Sequence, residues 1–375
     1  MSSIIHVVNS DFGYGYNLAV HSWKIAQGLK VKRELVVFCR AAAPGVRATY
    51  DIRALGLGRT AGRFLKAVNL FIARKLPYRR IEDAFFEASL KKALQKLSWH
   101  SIAVVHTWTS IPSILAPLKR RNPSVLLVRD HTMAVTDSAE DRAAISEDLR
   151  VCDYFFSPSA FVSESLALAG VPANRIVCIP YGVDPEEFRP RSPETPRADF
   201  RVAFSGLLCA RKGIPTLLEA WKRLDLPGAS LNLYGRLDPA MAEGLREAGR
   251  HNIFVRGFVD LKSELPQNDL FVFPSGWEGS AKAVYEALAC GLPVVTTHNA
   301  GSVVEDGVQG FIIPVGDVSA LAVKIRYFYD NRQALSHFSS EARKQGQKYS
   351  WKRYAETVID CYQRLPPVAG APGDS

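Results

Sequence analysis

Short, continuously apolar segments alternate with helix-forming segments along most of this chain. The segments IIHVV, SVLLVRDH and DLFVFPS lack the every-second-residue polar pattern of a strand with one face in water. Between such segments lie stretches with apolar residues at helical spacing, including AFVSESLALAG and IPTLLEAWKRL. Strands that are buried on both faces and separated by helices are typical of a parallel sheet covered on both sides. We therefore predict an α/β protein built from doubly wound, Rossmann-like parallel sheets.

The chain is long enough for two such sheets. Its 375 residues exceed the roughly 250–300 residues at which a single hydrophobic core stops growing. The alternation breaks at residues 180–196, where five prolines and many charges form a composition typical of a linker. We predict a first domain that ends near residue 180, a second domain from residue 181, and a disordered tail at residues 367–375.

The formal charge of +10 is concentrated in the N-terminal half. Residues 53–121 contain 14 lysines and arginines against three acidic residues, which accounts for the whole excess. Within them, the segment that begins at Arg59 and ends at Lys75 has most of its basic and apolar side chains on opposite sides of a helix. Two interpretations follow: this helix lies on an anionic membrane surface, or it packs its apolar side on the domain core.

Other features argue against several classes of protein. No apolar stretch approaches the ~18 residues of a membrane-spanning helix, and the N-terminus lacks the order of a signal peptide. The six cysteines are scattered without a C-x-x-C pair, as expected of buried thiols in a reducing compartment. The histidines have no metal-binding spacing and no D-x-D sequence occurs, so no metal site is expected. We expect a cytoplasmic protein, with peripheral contact on the inner face of the cytoplasmic membrane as an open alternative.

Loops that follow parallel strands are the expected place for a ligand. After the strand RVAFSG, Arg211 and Lys212 precede a helix, whose unpaired backbone amides and positive dipole end favour an anion. The simpler interpretation is a solvated basic turn that ends at Gly213. Near the N-terminus, Gly13 and Gly15 form a turn before the first helix, but position 18 is leucine where a dinucleotide fingerprint needs a third glycine. The sequence thus argues against an NAD site.

Two glutamates flank the start of another predicted helix. Glu278 and Glu286 lie eight positions apart, which would separate them by about 80° on a single helix. With a helix from near Ser280 to Gly291, Glu278 precedes the helix and Glu286 lies about two turns inside it. Both side chains can then face one cleft. The simpler interpretations are an i, i+4 pair of Glu286 with Lys282, and a favourable charge of Glu278 near a helix N-terminus.

Several segments carry a resemblance to a known family. The run PSGWEGSAKAVYEALACGLPVVTTHNAGSVVEDGVQGFIIPVGD resembles the donor-site signature of the family 4 retaining glycosyltransferases, with its E-x7-E motif. FSGLLCARKG resembles their phosphate loop, and SWKRYAETVIDCYQRL resembles the C-terminal helix that crosses back onto the N-terminal domain. The resemblance covers about residues 151–365 and implies a GT-B fold, with two Rossmann-like domains that face a central cleft. It places residues 1–180 and 350–366 in an N-terminal acceptor-side domain and residues 181–349 in a donor domain.

The resemblance implies an enzyme that transfers a sugar from a nucleotide-diphosphate sugar to an acceptor hydroxyl, with retention of configuration and without a metal. It implies glycan or lipid-linked acceptors, as in polysaccharide, lipopolysaccharide or glycolipid synthesis. Glu286 would bind the ribose, Glu278 the transferred sugar, and Lys212 the departing diphosphate. On the acceptor side, His131 would lie near the anomeric carbon and His106 would orient the acceptor. The other donor-binding residues that the resemblance implies are Arg211, Gly206, Phe258, Gly279, Ser280, Ala281, Lys282, Gly13 and Gly15.

One position departs from the family pattern. Leu207 stands where many members have an arginine directly after the glycine of the phosphate loop. Either Arg211 supplies the missing charge from four positions on, or Lys212 and backbone amides hold the diphosphate alone. Two other functions stay open: a related GT-B nucleotide-sugar epimerase or hydrolase, and a nucleic-acid-binding protein, which is suggested only by the sequence pI ≈ 9.3.

Overall fold

The structure, a computed structural model, describes residues 3–12, 19–29, 35–42, 51–55, 78–191, 199–246 and 251–368. These residues form two parallel sheets. The strands of the first sheet are β1 (Ser3–Phe12), β2 (Leu35–Ala42), β3 (Asp51–Ala54), β4 (Ile102–Thr107), β5 (Leu126–Asp130), β6 (Tyr154–Ser157) and β7 (Ile176–Cys178). Their order across the sheet is β3-β2-β1-β4-β5-β6-β7.

The second sheet repeats this arrangement. Its strands are β8 (Phe200–Ser205), β9 (Ala229–Tyr234), β10 (Ile253–Gly257), β11 (Leu270–Phe273), β12 (Val294–Thr297) and β13 (Gly310–Ile313). Their order is β10-β9-β8-β11-β12-β13, and neighbouring strands in both sheets pair in parallel. In each sheet the order runs outward from the first strand and then resumes on its other side, as in Rossmann-like folds. The predicted α/β class with two parallel sheets is confirmed.

Helices connect most of the strands. In the described ranges they are α1 (Ala19–Gly28), α2 (Tyr78–Gln95), α3 (Pro112–Arg121), α4 (Ala139–Leu149), α5 (Ala160–Leu168), α6 (Ile214–Lys222), α7 (Leu261–Glu264), α8 (Lys282–Ala289), α9 (Val318–Asp330), α10 (Arg332–Lys348) and α11 (Trp351–Arg364). None of the described helices combines the length and the apolar character needed to span a membrane.

The core of the second sheet is buried because its strands are apolar on both faces. Every residue of β11 and of β12 is buried. The rings of Phe204 on β8 and Phe273 on β11 stack with their centroids 5.3 Å apart. Helix α6 buries an apolar stripe that includes Ile214, Leu217 and Trp221. Since each buried large apolar side chain contributes about 1.5–3 kcal/mol, this packing holds the ends of β8 and β11 in place.

Contacts divide the chain into two units. One comprises Met1–Ser157, Ser165–Ile179 and Ala355–Ser375, and the other comprises Pro158–Glu164 and Pro180–Tyr354. The described part of the predicted linker is packed within the second unit. Phe188 is buried there, and its carbonyl oxygen accepts a 2.9 Å hydrogen bond from Arg343 on α10. Residues 180–191 are therefore packed against the second unit, although their composition is typical of a linker.

Gly213, in the loop after β8, packs closely against Pro274 in the loop after β11. Its φ of 76° lies in the left-handed region, and a Cβ atom there would lie 2.0 Å from the carbonyl oxygen of Pro274. Gly213→Ala is therefore expected to lower the free energy of unfolding by about 2–4 kcal/mol, through backbone strain and displacement of the Pro274 loop. Gly228→Ala is the matched control, because Gly228 has a φ of 72° but open space around it, and should cost about 1 kcal/mol. Equal losses in urea unfolding would contradict the importance of the Pro274 contact.

Candidate active site

Two loops of the second unit meet where the strand order reverses. Strands β8 and β11 are neighbours in the sheet, although β9 and β10 separate them in the chain. Their following loops leave the same edge side by side, which is the position at which open α/β sheets bind ligands. The Gly276 amide donates to the Arg211 carbonyl oxygen at 2.9 Å, and this bond joins the two loops.

Glu278 forms ion pairs with both basic residues of the opposite loop. Its Oε1 atom lies 2.7 Å from Nη1 of Arg211 and 2.9 Å from Nζ of Lys212. Arg211 also donates to the carbonyl oxygen of Trp277. The Lys212 side chain is 17% exposed and that of Arg211 is 45% exposed. We call Arg211, Lys212 and Glu278 the donor cluster. It places one carboxylate against two cations and therefore has one net positive charge.

Gly206 provides room for the Lys212 side chain. A Cβ atom on Gly206 would lie 3.4 Å from Cδ and 3.6 Å from Nζ of Lys212. The ammonium group also lies 5.1 Å from the ring centroid of Phe273, within range of a cation–π contact. Lys212 is therefore held between the end of β8, the end of β11 and the Glu278 carboxylate.

Helix α8 begins at Lys282, two residues later than the sequence predicts. The Ala281 amide donates to the carbonyl oxygen of Ala300 at 3.1 Å, and Ala281 stays outside the helix as its N-cap. Within the described ranges, the amides of Gly279, Ser280 and Lys282 have no hydrogen-bond partner. Because the Ala281 amide already donates to Ala300, only the amides of Ser280 and Lys282 among the three residues Ser280 to Lys282 can donate hydrogen bonds to a diphosphate in this conformation.

Glu286 is the fifth residue of α8, so it lies just over one turn inside the helix and not two. No ion pair within 4.0 Å joins Glu286 to Lys282 among the described residues, so the i, i+4 interaction is a longer-range attraction between the two charges rather than a close contact. Burial raises the pKa of Glu286 from 4.5 to about 7, against a smaller lowering by the positive charge of Lys282. A carboxyl group that is desolvated in this way gains from accepting hydrogen bonds from ligand hydroxyls.

A cavity of about 330 Å³ opens beside the loop after β8. Its lining includes Gly206, Leu207 and, from the turn after β10, Gly257 and Phe258. The Phe258 side chain is 85% exposed, so one face of its ring is open to a ligand. Gly206 and Phe258, two of the donor-binding residues that the resemblance implies, therefore line the same cavity.

The first unit has a cavity of about 320 Å³ at the ends of β4 and β5. Its lining includes Trp108, Arg129, Asp130 and His131. Burial, with a smaller contribution from the neighbouring Arg129 charge, lowers the pKa of His131 to about 3. The His131 imidazole is therefore neutral at pH 7, with one nitrogen that donates and one that accepts hydrogen bonds.

His106 lies behind the wall of this cavity and does not line it. It is fully buried, its ring stacks on Trp108 with centroids 4.0 Å apart, and its Nδ1 atom lies 2.6 Å from the Tyr362 hydroxyl. Burial, with a contribution from Arg129, lowers its pKa to about 3. His106 can therefore influence an acceptor only through its neighbours, among them Asp130, whose Oδ2 lies 3.3 Å from Nε2.

Some predicted features fall outside the described residues. Gly13, Gly15 and the segment from Arg59 to Lys75 are among them, so their roles stay predictions. In the ranges that are described, no group of three or more histidine, cysteine, aspartate or glutamate side chains is placed to hold a metal ion.

Sequence reasoning missed Asp130 and Tyr362. A charged residue at the end of the apolar strand β5, directly before His131, is a signal that could have pointed to Asp130. Tyr362 has no comparable signal, because the histidine that it contacts is 256 positions away in the sequence.

Two Rossmann-like units of this strand order define the architecture as GT-B. The family description Glycosyl transferases group 1 matches residues 199–331, and the description Glycosyltransferase Family 4 matches residues 18–187. The chain belongs to this family of group 1, family 4 glycosyltransferases.

Individual relatives match parts of the chain. The amylovoran biosynthesis glycosyltransferase AmsK of Erwinia amylovora is 29% identical over 173 residues, which cover 42% of this chain and 42% of that protein. The sulfoquinovosyl transferase of Arabidopsis thaliana is 30% identical over 230 residues, which cover 56% of this chain and 44% of that protein. Each match spans less than half of the relative's length. The crystal structure of Anabaena HepE in complex with UDP and glucose has the same fold, with a TM-score of 0.72 and 17% identity over 97% of this chain and 100% of that one.

Proposed function

We propose that the protein transfers a sugar from a nucleoside-diphosphate sugar to an acceptor hydroxyl, with retention of configuration at the anomeric carbon. The donor cluster carries this proposal, because it places two cations and a carboxylate beside the unpaired amides at the start of α8. Cleavage of a glycosyl–phosphate bond leaves negative charge on the diphosphate and positive charge on the sugar ring. The cluster offers stabilising groups of both signs.

The diphosphate would replace Glu278 as the partner of the two cations. Lys212 and Arg211 would neutralise the departing phosphates, together with the amides of Ser280 and Lys282 and the positive end of α8. Glu278 would then accept hydrogen bonds from hydroxyls of the transferred sugar. Because protein cations and helix amides supply the positive charge, we propose that transfer needs no metal ion.

The nucleoside would lie in the cavity beside Leu207 and Phe258, with its ribose hydroxyls donating to Glu286. Of the two possibilities for the charge that Leu207 lacks, we propose Arg211, because its guanidinium group lies within 2.7 Å of the same carboxylate oxygen as Lys212. The structure of HepE with UDP makes uracil the first base to test.

In the proposed reaction, the acceptor oxygen bonds to the anomeric carbon on the face from which the phosphate oxygen departs. The acceptor proton passes to that phosphate oxygen, so the leaving group serves as the base. His131 is proposed near the anomeric carbon, where its neutral imidazole would bind a sugar hydroxyl. We propose a glycan acceptor, by analogy with the amylovoran biosynthesis for which AmsK is named. We also propose that residues 59–75 bring the enzyme to a membrane-linked acceptor.

Thermal shifts with nucleotides test the proposal. UDP, GDP, ADP and UDP-glucose are added in the presence of a chelator, and at least one is expected to raise the Tm by several degrees. Lys212→Ala is expected to weaken nucleotide binding about 10–100-fold, because it removes a charge-assisted contact to phosphate. Lys222→Ala, at an exposed lysine of α6, is the matched control and should bind normally. If no nucleotide stabilises the wild-type protein, the proposal fails; release of free sugar without an acceptor would indicate hydrolysis instead.

A further inference from the structure

A chain of polar side chains runs through the first unit to the cavity at the ends of β4 and β5. Ser22 Oγ lies 2.8 Å from His6 Nδ1, and His6 Nε2 lies 3.1 Å from the Tyr362 hydroxyl. That hydroxyl lies 2.6 Å from His106 Nδ1, and His106 Nε2 lies 3.3 Å from Asp130 Oδ2. Apart from Tyr362, whose ring carries some exposed surface, these side chains are buried.

The proton positions in this chain follow from its geometry. Both histidines are neutral because burial lowers their pKa, so each ring has a single N–H. Tyr362 has one hydroxyl hydrogen, which it donates across the shorter contact to His106 Nδ1. His6 then donates from Nε2 to the Tyr362 oxygen and accepts from Ser22. The His106 proton is therefore on Nε2 and faces the Asp130 carboxylate. If the proton were on Nδ1 instead, the lone pair of Nε2 would face that negative charge.

Three polar atoms at the cavity end of this chain have no hydrogen-bond partner among the described residues. They are His106 Nε2, Trp108 Nε1 and Asp130 Oδ1. His106 approaches Asp130 to 3.3 Å and the Trp108 N–H faces Asp130 closely enough to favour its charged form, but neither contact has hydrogen-bond geometry. Buried polar atoms in proteins nearly always have a partner. Trp108 is 5% exposed and Asp130 is 3% exposed, and both line the cavity. A ligand in the cavity is therefore placed to supply the missing partner.

We propose that a hydroxyl group of a neutral sugar or polyol binds here, donating to Asp130 Oδ1 and accepting from Trp108 Nε1. A single hydroxyl satisfies both atoms because it is a donor and an acceptor at once. The cavity is also lined by Asp141 and Asp148, and Arg129 is paired with Asp148 at 3.1 Å, so these surroundings disfavour an anion. Both atoms lie beneath the cavity surface, so a small side-chain rotation accompanies binding.

The inference rests on the proposed function only in identifying this hydroxyl as part of the acceptor. Tyr362 is then a positioning residue: it directs the His106 N–H at Asp130, which favours the charged carboxylate. The other charged or titratable groups that face Asp130 are His21 on α1 and Arg129 on β5.

Indole N–H resonances test both proposals in one spectrum. The protein has six tryptophans. The variants Trp108→Phe and Trp277→Phe identify the two relevant indole signals in ¹⁵N-labelled protein. Myo-inositol, glycerol or methyl α-glucoside is expected to move the Trp108 signal, and UDP is expected to move the signal of Trp277, which precedes Glu278. A UDP response without any polyol response would overturn this inference and leave the proposed function standing. A polyol response without a UDP response would count against the proposed function alone.

Substitution of Asp130 identifies the hydroxyl's partner. Asp130→Asn is expected to weaken the polyol response of Trp108 at least tenfold, because the amide is a poorer acceptor than a carboxylate. Asp141→Asn is the matched control, since Asp141 lines the same cavity but already accepts hydrogen bonds from Thr136. Equal responses in the two variants would overturn the inference, because the polyol would then bind without the Asp130 carboxylate.

A titration of the wild-type protein serves if Asp130→Asn does not fold. Burial raises the pKa of Asp130 to about 6, so the polyol response should be strong at pH 8 and weak at pH 5. A response that does not depend on pH would contradict the assignment to Asp130.

Tyr362→Phe should move the midpoint of this titration to higher pH, because Asp130 loses the oriented His106 N–H. A weaker response with an unchanged midpoint would assign Tyr362 a structural role only.

Discussion

Glu278→Gln is expected to tighten the binding of a nucleoside diphosphate while reducing sugar transfer about 10²–10³-fold. In the ligand-free protein Glu278 pairs with both Arg211 and Lys212, so a diphosphate must compete with it for both cations. Each of these partly exposed ion pairs contributes about 0.5–1 kcal/mol, so the loss of both should improve UDP affinity about five- to thirtyfold. Transfer falls because the sugar loses a charged hydrogen-bond acceptor near the carbon that becomes positive.

Opposite signs for binding and transfer make this prediction specific. UDP affinity is measured by calorimetry and transfer by release of UDP from UDP-sugars in the presence of acceptor. Glu219→Gln, which breaks an exposed ion pair with Arg223 on α6, is the control and should change neither quantity. Weaker binding of UDP to Glu278→Gln would contradict the competition between carboxylate and diphosphate.

Glu286→Gln is expected to stabilise the ligand-free protein at pH 8 but not at pH 5. Burial raises the pKa of Glu286 from 4.5 to about 7, so the folded protein holds this proton more tightly than the unfolded chain. Stability from this group is complete below pH 4.5 and is lost as the pH rises through 7. Glutamine has no charge to desolvate, so the variant should gain about 1–2 kcal/mol at pH 8. Urea unfolding at the two pH values measures this, and equal effects at both would contradict the raised pKa.

The same substitution is expected to weaken nucleotide binding about 10–100-fold at pH 8, because two ribose hydroxyls lose a charged acceptor. In the wild-type protein, UDP affinity should rise between pH 6 and pH 8 as Glu286 loses its proton. The pH dependence of UDP affinity is compared between the wild-type protein and Glu286→Gln, because the ionisation of UDP itself affects both proteins equally. A wild-type pH dependence that matches that of the variant would show that Glu286 does not contact the nucleotide.

Both experiments concern the loop that carries Glu278 and helix α8, which carries Glu286. The sequence predicted these elements correctly but placed the start of the helix less accurately. The apolar segment DLFVFPS predicted a buried strand, and β11 lies within it. Helix α8 begins two residues later than the sequence predicts, because the Ala281 amide donates to the carbonyl oxygen of Ala300 and Ala281 remains outside the helix. Helix propensity acts between near neighbours, whereas that hydrogen bond joins residues brought together by the pairing of β11 with β12.

The linker shows the same limit. Five prolines within residues 180–196 correctly mark a break in the β–α alternation. Their composition does not reveal that Arg343 donates to the carbonyl oxygens of Pro185 and Phe188, more than 150 positions away. Charge and proline content describe what a segment can do in isolation, but anchoring depends on the helix that packs beside it.

The sequence by itself determined the two parallel sheets, because burial on both faces imposes a continuous apolar pattern on each strand. It also singled out Arg211, Lys212, Glu278 and Glu286, because polar residues between apolar strands and helices lie at the ligand-binding edge of such a sheet. Only the tertiary structure decided that Glu278 faces both cations and that Tyr362 lies between two histidines of neighbouring strands. Those contacts join residues 66 to 356 positions apart, and their geometry follows from the order in which the strands pair rather than from any local pattern.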